Sequence, residues 1–297
     1  GFQRNTVSSD WNGYASWSAL ITASCLGLIV FSRGTNFDIV ITMTTAWALG
    51  FFFQSDLTKD QRQQKLFLFG FYCCVGLSLL AKGLVGLIIP FGVVFTYFVF
   101  RRTIGGKTVW TSLIWGIPLL ILVSAIWYGP VIYKNGRIFV DEFFVQHHFA
   151  RYISNKYHHP QPIYFYPAIL LMLLVPWTPF LIDALIPGRQ WTWRGQDSAT
   201  RLYVFMIAWI VFPIVFFSFS GSKLPGYILP VLPAALFLVA ASITRTQRST
   251  LPYIVAGFLW LIFGLGGLFY ILRFERLSLN CALLATAPFL IGGLISI

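Results

Sequence analysis

The sequence predicts an all-α integral membrane protein, a polytopic bundle of transmembrane helices. Hydrophobic residues make up 57% of the 297-residue chain and charged residues only 10%, whereas soluble domains carry about 25% charged residues. The apolar residues form long continuous runs and lack the alternation that marks a membrane β-barrel. Because every backbone polar group in hydrocarbon needs an internal partner, such runs are expected to be helices.

About ten segments approach the roughly 20 apolar residues that a membrane span requires. They are 14–32, 36–54, 66–81, 84–100, 110–128, 163–182, 202–219, 227–242, 251–272 and 278–297. Tight turns at 33–35, 82–83 and 220–226 join several of them. We therefore expect residues 1–297 to form a single transmembrane domain with one long polar loop, residues 129–162, inside it.

The distribution of Lys and Arg orients the bundle, whose formal net charge is +12. One set of connections carries evenly spread cations, as the positive-inside rule expects of cytoplasmic loops. That set holds Arg4, Lys59, Arg62, Lys65, Arg101, Arg102, Lys107, Arg189, Arg194, Arg201, Arg245 and Arg248. The connections on the opposite side also contain Lys and Arg, which the positive-inside rule does not expect there. Many of these cations lie in the 129–162 loop. This assignment places the loop outside the cytoplasm, where its cations are better explained by a bound anion than by topology.

The 129–162 loop concentrates titratable side chains. All four histidines of the chain lie in it, at 147, 148, 158 and 159. His147, His148 and Arg151 stand at helical spacing and could share one face. An arginine beside a histidine suits an oxyanion or phosphate, whereas a metal site needs three or four convergent ligands. A solvated polar loop without a ligand is the alternative interpretation.

Two charged residues stand at the ends of predicted spans. Asp38 lies near the start of one helix, where a carboxylate is favoured by the helix dipole, but an ionisable group at a span also suggests a reaction centre. Lys82 ends another span beside Gly83. It is either an interfacial lysine that extends its ammonium into water or a phosphate contact beside a glycine that lets a ligand approach.

A third turn, residues 220–226, also carries polar side chains between spans. Lys223 and Tyr227 flank its Pro-Gly pair. An ammonium and a phenol hydroxyl that face one cavity could both contact a phosphate. The alternative is a proline-broken helical hairpin without a ligand. Elsewhere the nucleotide and zinc motifs GxxxxGK[ST], GxGxxG and HExxH are missing from the sequence, so P-loop chemistry is unsupported.

Four stretches occur in a distinctive order along most of the chain. They are GTNFD at 34–38, GLSLLAKG at 76–83, HFARY at 148–152 followed by PIYFYP at 162–167, and SKLPGYILP at 222–230. In this the chain resembles the bacterial aminoarabinose (lipid A) transferase and protein-mannosyltransferase group. These are membrane glycosyltransferases of the GT-C fold that use polyprenyl-phosphate sugars.

The resemblance implies roles for individual residues. Arg151 and Tyr227 match positions that hold the lipid phosphate, and Lys82 matches a functionally implicated lysine. Asp38 matches the second carboxylate near the sugar, and His148 matches a position that can bind a metal ion.

The chain also departs from the family pattern. His147 stands where the family has Glu, which weakens the case for a divalent metal, so we expect no required cofactor. The family's principal catalytic Asp lies in a large first outer loop that would precede Gly1. We therefore expect the chain to be a fragment that lacks this loop.

These inferences predict an inverting glycosyltransferase in a bacterial inner membrane, with its active site facing outward. A polyprenyl-phosphate sugar is the expected donor, and a lipid, glycan or protein is the expected acceptor; nucleic acid is not an expected partner. Lys82, Arg151, Tyr227, Lys223 and His147 are the candidate substrate-binding residues. A transporter of an anionic or lipid-linked substrate is the first alternative, and a non-enzymatic scaffold is the second.

Overall fold

The computed structural model describes residues 11–34, 36–139, 141–143, 161–186, 193–244, 249–275 and 278–296. Within these ranges the chain forms α-helices and no β-strand. The helices are α1 (Trp11–Ser24), α2 (Leu26–Arg33), α3 (Phe37–Leu57), α4 (Gln61–Lys82), α5 (Val85–Arg101), α6 (Lys107–Phe139), α7 (Phe165–Leu173), α8 (Thr178–Leu185), α9 (Ser198–Ser218), α10 (Leu232–Ile243), α11 (Leu251–Tyr270) and α12 (Leu279–Ser296). A 3₁₀ helix, Pro225–Val231, leads into α10.

The described helices confirm a polytopic membrane protein. Seven helical segments are long and apolar enough to cross a membrane, counting the 3₁₀ helix and α10 as one, and two bent pairs add up to two more spans. The pair α1–α2 is bent by 56° and the pair α7–α8 by 118°. Helix α5 is apolar but has only 17 residues. Each of the ten predicted segments thus falls on helix, although two of them are broken.

Helix α6 shows where the prediction of a loop at 129–162 starts too early. The helix continues from the predicted span through Phe139, and its only residue with non-helical backbone angles is Gly136, with φ 59° and ψ −141°. The residues after Gly129 include the apolar run Val131-Ile132-Tyr133, which can extend a helix beyond the predicted span. Residues 129–139 of the predicted loop thus lie in helix on either side of Gly136, and residues 140 and 144–160 lie outside the described ranges.

The chain forms two compact units, and the larger comprises Val30–Leu170 and Trp191–Ala235. Its core is a cluster of aromatic rings around Phe52 of α3. The Phe52 ring contacts Phe71 of α4, Tyr97 of α5 and Phe205 of α9, with centroids 5.7, 6.5 and 6.0 Å away. Because Phe52 and Phe205 are at most 1% exposed, this cluster joins four spans through closely packed apolar surface.

Small hydroxyl side chains connect α3 to α4 within the same unit. Ser78 Oγ donates to Thr44 Oγ1 at 2.6 Å, and Thr45 Oγ1 lies 3.5 Å from Ser78 Oγ. Within a membrane, helix association relies on close packing and interhelical hydrogen bonds, because lipid tails are as apolar as the side chains themselves. These hydroxyls therefore help to fix the register between the two helices.

The smaller unit comprises Gly1–Ile29, Leu171–Gln190 and Leu236–Ile297. Its helices also pack through aromatic rings. The Trp260 ring of α11 contacts Trp177 before α8 and Phe289 of α12, with centroids 6.3 and 5.2 Å away. In addition, the Phe180 ring meets the Tyr253 ring edge-on at 4.9 Å. Rings of this size supply most of the contact area that holds such short spans together.

Gly86 tests the tight reversal from α4 to α5. A Cβ at this position would overlap the backbone carbonyl group of Ser78. We predict that Gly86→Ala lowers the free energy of unfolding by about 1–3 kcal/mol, as overpacking does. Gly50→Ala is the control, because nothing lies within 4 Å of a Cβ there and alanine favours helices. Thermal unfolding in detergent measures both, and equal stability of the two variants would contradict the packing argument.

Candidate functional site

The first turn of α3 fixes the position of Asp38. Asn36 caps the helix, and its side-chain Oδ1 accepts a hydrogen bond from the Asp38 backbone N–H at 2.8 Å. Such a cap satisfies a backbone donor that the helix itself leaves unpaired. The Asp38 carboxylate also lies near the positive end of the helix dipole, which favours its charged form. The sequence thus holds a carboxylate at a defined point at the end of a span.

Lys82, in the last turn of α4, forms an ion pair with Asp38. The lysine ammonium lies near the negative end of its own helix dipole, which also favours its charge. Gly83 ends α4 with φ 64°, a conformation that other residues adopt at a cost. The two side chains are 25% and 18% exposed, so the pair is screened less than a surface pair but remains accessible.

Tyr227 and Gly226, in the 3₁₀ helix, complete this cluster. The Lys82 ammonium lies 4.8 Å from the centroid of the Tyr227 ring, within the range of a cation–π contact. A Cβ on Gly226 would overlap the Asp38 carboxylate and approach the Phe31 ring. Glycine is therefore the residue that lets the 3₁₀ helix come this close to the ion pair. We refer to Asp38, Lys82, Gly226 and Tyr227 as the Asp38 cluster.

Two further aromatic rings pack behind Tyr227 of the Asp38 cluster. The Phe217 ring contacts Tyr227 at 5.2 Å, and the Tyr166 ring contacts Phe217 at 6.0 Å. Tyr166 is fully buried. Side chains packed in this way restrict the orientations open to the Tyr227 ring. Tyr166 of α7 and Phe217 of α9 thus help to orient Tyr227.

The other predicted site residues have different outcomes. Lys223 is buried, and its ammonium donates to the Gln161 backbone carbonyl at 2.8 Å. The cation over the Tyr227 ring is Lys82, and a shared phosphate contact of Lys223 and Tyr227 stays a prediction. His147, His148 and Arg151 lie outside the described residues. Among the residues that are described, no three His, Cys, Asp or Glu side chains come together as metal ligands.

Sequence reasoning missed a second polar cluster in the larger unit, at the opposite end of α3. Asp56 forms an ion pair with Arg201 of α9 and accepts a hydrogen bond from the Tyr97 hydroxyl at 2.7 Å. Arg101, 5% exposed, donates to the Tyr97 hydroxyl at 3.1 Å. The sequence analysis used both arginines only for topology. A lone carboxylate at the end of a span was the signal that could have revealed the cluster.

Comparison with known proteins was made by sequence and by structure. No protein-family model matches the chain. It is 31% identical over 235 residues to a Yersinia pestis (strain Pestoides F) undecaprenyl phosphate-alpha-4-amino-4-deoxy-L-arabinose arabinosyl transferase, covering 77% of this chain and 40% of that protein. It is 28% identical over 232 residues to the Serratia proteamaculans (strain 568) protein of the same name, covering 76% and 40%. The chain thus spans about 40% of the length of these curated relatives.

Two solved structures share the fold. The crystal structure of ArnT from Cupriavidus metallidurans bound to undecaprenyl phosphate superimposes with a TM-score of 0.70 and 21% identity, covering 95% of this chain and 55% of that one. The apo structure of the same protein gives a TM-score of 0.73 and covers 51% of its own chain. The polytopic helical fold predicted from the sequence is therefore confirmed.

A double-mutant cycle on Asp38 and Lys82 tests the ion pair. We predict that Lys82→Met destabilises the protein more than Asp38→Asn combined with Lys82→Met does, because the single change leaves a partly buried carboxylate without its counter-ion. The coupling energy is expected to be about 0.5–3 kcal/mol, as for directly contacting charges. Thermal or denaturant unfolding in detergent measures it, and additive effects of the two changes would show that the pair does not form.

Proposed function

We propose that this chain, which belongs to the GT-C group of aminoarabinose (lipid A) transferases and protein-mannosyltransferases, acts as a membrane glycosyltransferase. Its donor is a sugar on a polyprenyl phosphate, and its acceptor is a lipid, glycan or protein. The observation that carries this proposal is the Asp38 cluster, in which a carboxylate, an ammonium and a tyrosine meet at one end of the membrane spans. The relatives named for transfer from undecaprenyl phosphate support it.

The proposed reaction inverts the configuration of the transferred sugar. A carboxylate takes the proton of the acceptor group, which attacks the anomeric carbon while the bond to the lipid phosphate breaks. Asp38 is the carboxylate that this chain contributes near the sugar. The principal catalytic carboxylate is expected in a first outer loop, as in the family. General-base help of this kind contributes about 10²–10⁴-fold to a rate.

Cations stabilise the departing lipid phosphate in this proposal. The proposed direct contacts of the phosphate are Lys82, Arg151 and Tyr227. Lys223 and His147 are proposed to lie nearby. A charge that develops during the reaction is stabilised most by donors that are already in place. This need accounts for the cations that the sequence keeps on the outer face against the topology signal.

The ion pair also suggests how the site responds to its donor. Without a ligand, the Lys82 ammonium neutralises the Asp38 carboxylate. A donor phosphate competes for the same ammonium, and a transfer of Lys82 from the carboxylate to the phosphate would leave Asp38 with one fewer partner. Donor binding would thus prepare the carboxylate for its contact with the sugar.

No cofactor is required by this chemistry, since cationic side chains can stabilise the phosphate directly. His148 is the position at which a divalent metal ion would bind, if one takes part. His147 occupies the place of a family Glu, and imidazole is a weaker ligand than carboxylate for hard cations such as Mg²⁺. A metal at His148 would therefore favour a softer ion such as Zn²⁺.

We place the protein in the bacterial inner membrane with the Asp38 cluster facing outward. The described cations at the other end of the spans, around Asp56, agree with the positive-inside rule. A transporter would instead place ionisable groups near the middle of the membrane. Both ion pairs within the described residues lie at span ends, which favours the enzyme.

Replacement of Asp38 and of its glycine neighbour tests the role of the carboxylate. We predict that Asp38→Asn in the full-length protein lowers kcat by about 10²-fold or more, because the carboxylate beside the sugar acts together with the principal catalytic carboxylate. Gly226→Ala should also slow transfer, because its methyl group displaces the carboxylate. The measurement is release of undecaprenyl phosphate from undecaprenyl-phosphate 4-amino-4-deoxy-L-arabinose, with lipid A as acceptor.

Gly129→Ala is the matched control for the glycine change, since a Cβ there makes only an ordinary contact with Ala125. It should turn over at the wild-type rate. Wild-type kcat in both Asp38→Asn and Gly226→Ala, with folding unchanged, would remove Asp38 from the mechanism.

Arg151 tests the proposed phosphate contact. A planar guanidinium can hold two phosphate oxygens at once, whereas an ammonium acts as a point charge. We therefore predict that both Arg151→Ala and Arg151→Lys transfer sugar more slowly than the wild type, and that Lys rescues only part of the loss. Steady-state kinetics against donor concentration provide the test. Wild-type rates in both variants would end this role.

A further inference from the structure

An open cavity lies in the larger unit, at the far end of α5 from the Asp38 cluster. It has a volume of about 480 Å³ and is lined by Phe100, Arg102, Trp193 and Arg194. Helix α5 begins at Val85, directly after the Lys82 turn, and ends at Arg101. At 1.5 Å per residue, its 17 residues separate the two ends by about 25 Å. The cavity therefore lies near the opposite membrane surface and is distinct from the proposed reaction site.

Within the part of the chain that the structure describes, the two guanidinium groups in this cavity form no ion pair. Arg102 and Arg194 are exposed, and the ion pairs among described residues are Lys82 with Asp38 and Arg201 with Asp56. The nearest carboxylate along the chain, Asp197, caps α9 by accepting a hydrogen bond from the Thr200 backbone N–H at 2.9 Å. Two adjacent cations without acidic partners favour an anion between them.

The backbone presents Arg102 in an unusual way. Arg102 is the C-cap of α5 with φ 51°, and its N–H bonds to the carbonyls of Phe98 and Val99. Glycine is the usual residue where a helix ends in this left-handed conformation. Among the described residues, Arg102 is the only residue other than glycine that has a positive φ. Retention of an arginine at a strained position is a pattern found at ligand sites.

A buried arginine, Arg101, joins the two segments that carry Arg102 and Arg194. Arg101 donates from Nη2 to the Gln196 Oε1 at 3.0 Å and from Nη1 to the Tyr97 hydroxyl. These bonds tie the end of α5 to the segment that leads into α9. Arg102 follows Arg101 directly, and Arg194 lies two residues before Gln196. The hydrogen bond between Arg101 and Gln196 therefore limits how far apart the segments that carry Arg102 and Arg194 can move.

Aromatic rings form the apolar wall. The Trp193 ring meets the Phe100 ring edge-on, with centroids 5.7 Å apart and planes at 79°. Tryptophan favours the boundary between hydrocarbon and water. A wall of rings beside two guanidinium groups matches a molecule that is charged at one end and apolar at the other.

We infer that this cavity binds the phosphate headgroup of an anionic membrane lipid in the cytoplasmic leaflet. Basic pockets between spans on the cytoplasmic side are suited to such headgroups. A free phosphate would contact the two guanidinium groups alone, whereas a lipid would also place its apolar part against the ring wall formed by Phe100 and Trp193. The inference does not depend on the proposed transfer reaction, since it concerns the other membrane surface.

Lipid binding to the full-length protein in detergent tests this site. The probes are dioleoylphosphatidylglycerol and dioleoylphosphatidylcholine, and native mass spectrometry counts the bound molecules at each concentration. Wild-type protein is expected to bind phosphatidylglycerol more tightly. Arg102→Gly and Arg194→Gln should each weaken that binding about fivefold, because each removes one of the two guanidinium groups that contact the phosphate directly. Glycine at 102 removes the charge and keeps the backbone conformation.

Arg62→Gln is the control. It removes one positive charge from an exposed residue near the start of α4, close to Lys65 and outside the cavity. It should bind both lipids as the wild type does. Binding of phosphatidylglycerol by the Arg102→Gly, Arg194→Gln double variant at wild-type strength would overturn the site. Equal binding of the two lipids by wild type, or displacement of the lipid by an equal concentration of inorganic phosphate, would overturn its assignment to an anionic lipid.

Discussion

The ion pair between Asp38 and Lys82 is the interaction on which the proposed site depends. It joins the first turn of α3 to the last turn of α4, so that each charge lies at the helix end whose dipole favours it. Partial burial strengthens the attraction relative to a surface pair. Because Gly226 has no side chain, the 3₁₀ helix can pack directly against the Asp38 carboxylate. This contact places the Tyr227 ring next to the Lys82 ammonium. Without this pair, three separate segments would have no common point at the membrane boundary.

Helix α3 is anchored by charge at both of its ends. Asp38 holds one end, and Asp56, with Arg201 and Tyr97, holds the other. Asp38 and Asp56 are 18 positions apart, which corresponds to about 27 Å of helix, close to the thickness of the hydrocarbon core. Between the anchors, the contacts are hydroxyl pairs and aromatic rings. The helix is thus fixed along the membrane normal, and the outer carboxylate stays at a defined depth.

The sequence was sufficient for the fold class and for part of the site. Long apolar runs dictate helices in a bilayer, so all ten segments could be found without a structure. Asp38, Lys82 and Tyr227 were each identified because charged and polar groups are conspicuous at span ends. Their mutual arrangement was less accessible, since nothing in the sequence indicates that Lys82 lies over the Tyr227 ring. That choice depends on how α4 packs against the 3₁₀ helix, which no local pattern encodes.

Other features depend on tertiary contacts alone. The need for glycine at 226 arises from a carboxylate 188 positions away in the chain. The Asp56 cluster gathers side chains from α3, α5 and α9, each unremarkable in its own segment. Helix α6 extends beyond its predicted end because Val131, Ile132 and Tyr133 continue the apolar run, whereas the prediction gave more weight to the polar and titratable residues of 129–162.

The most direct measurement is a cryo-EM structure of the full-length protein with undecaprenyl phosphate bound in a lipid nanodisc. The account predicts phosphate density within hydrogen-bonding distance of the Lys82 ammonium and the Tyr227 hydroxyl, with the Asp38 carboxylate beside it. Phosphate density at any other place in the molecule, with Lys82 still paired to Asp38, would contradict the account.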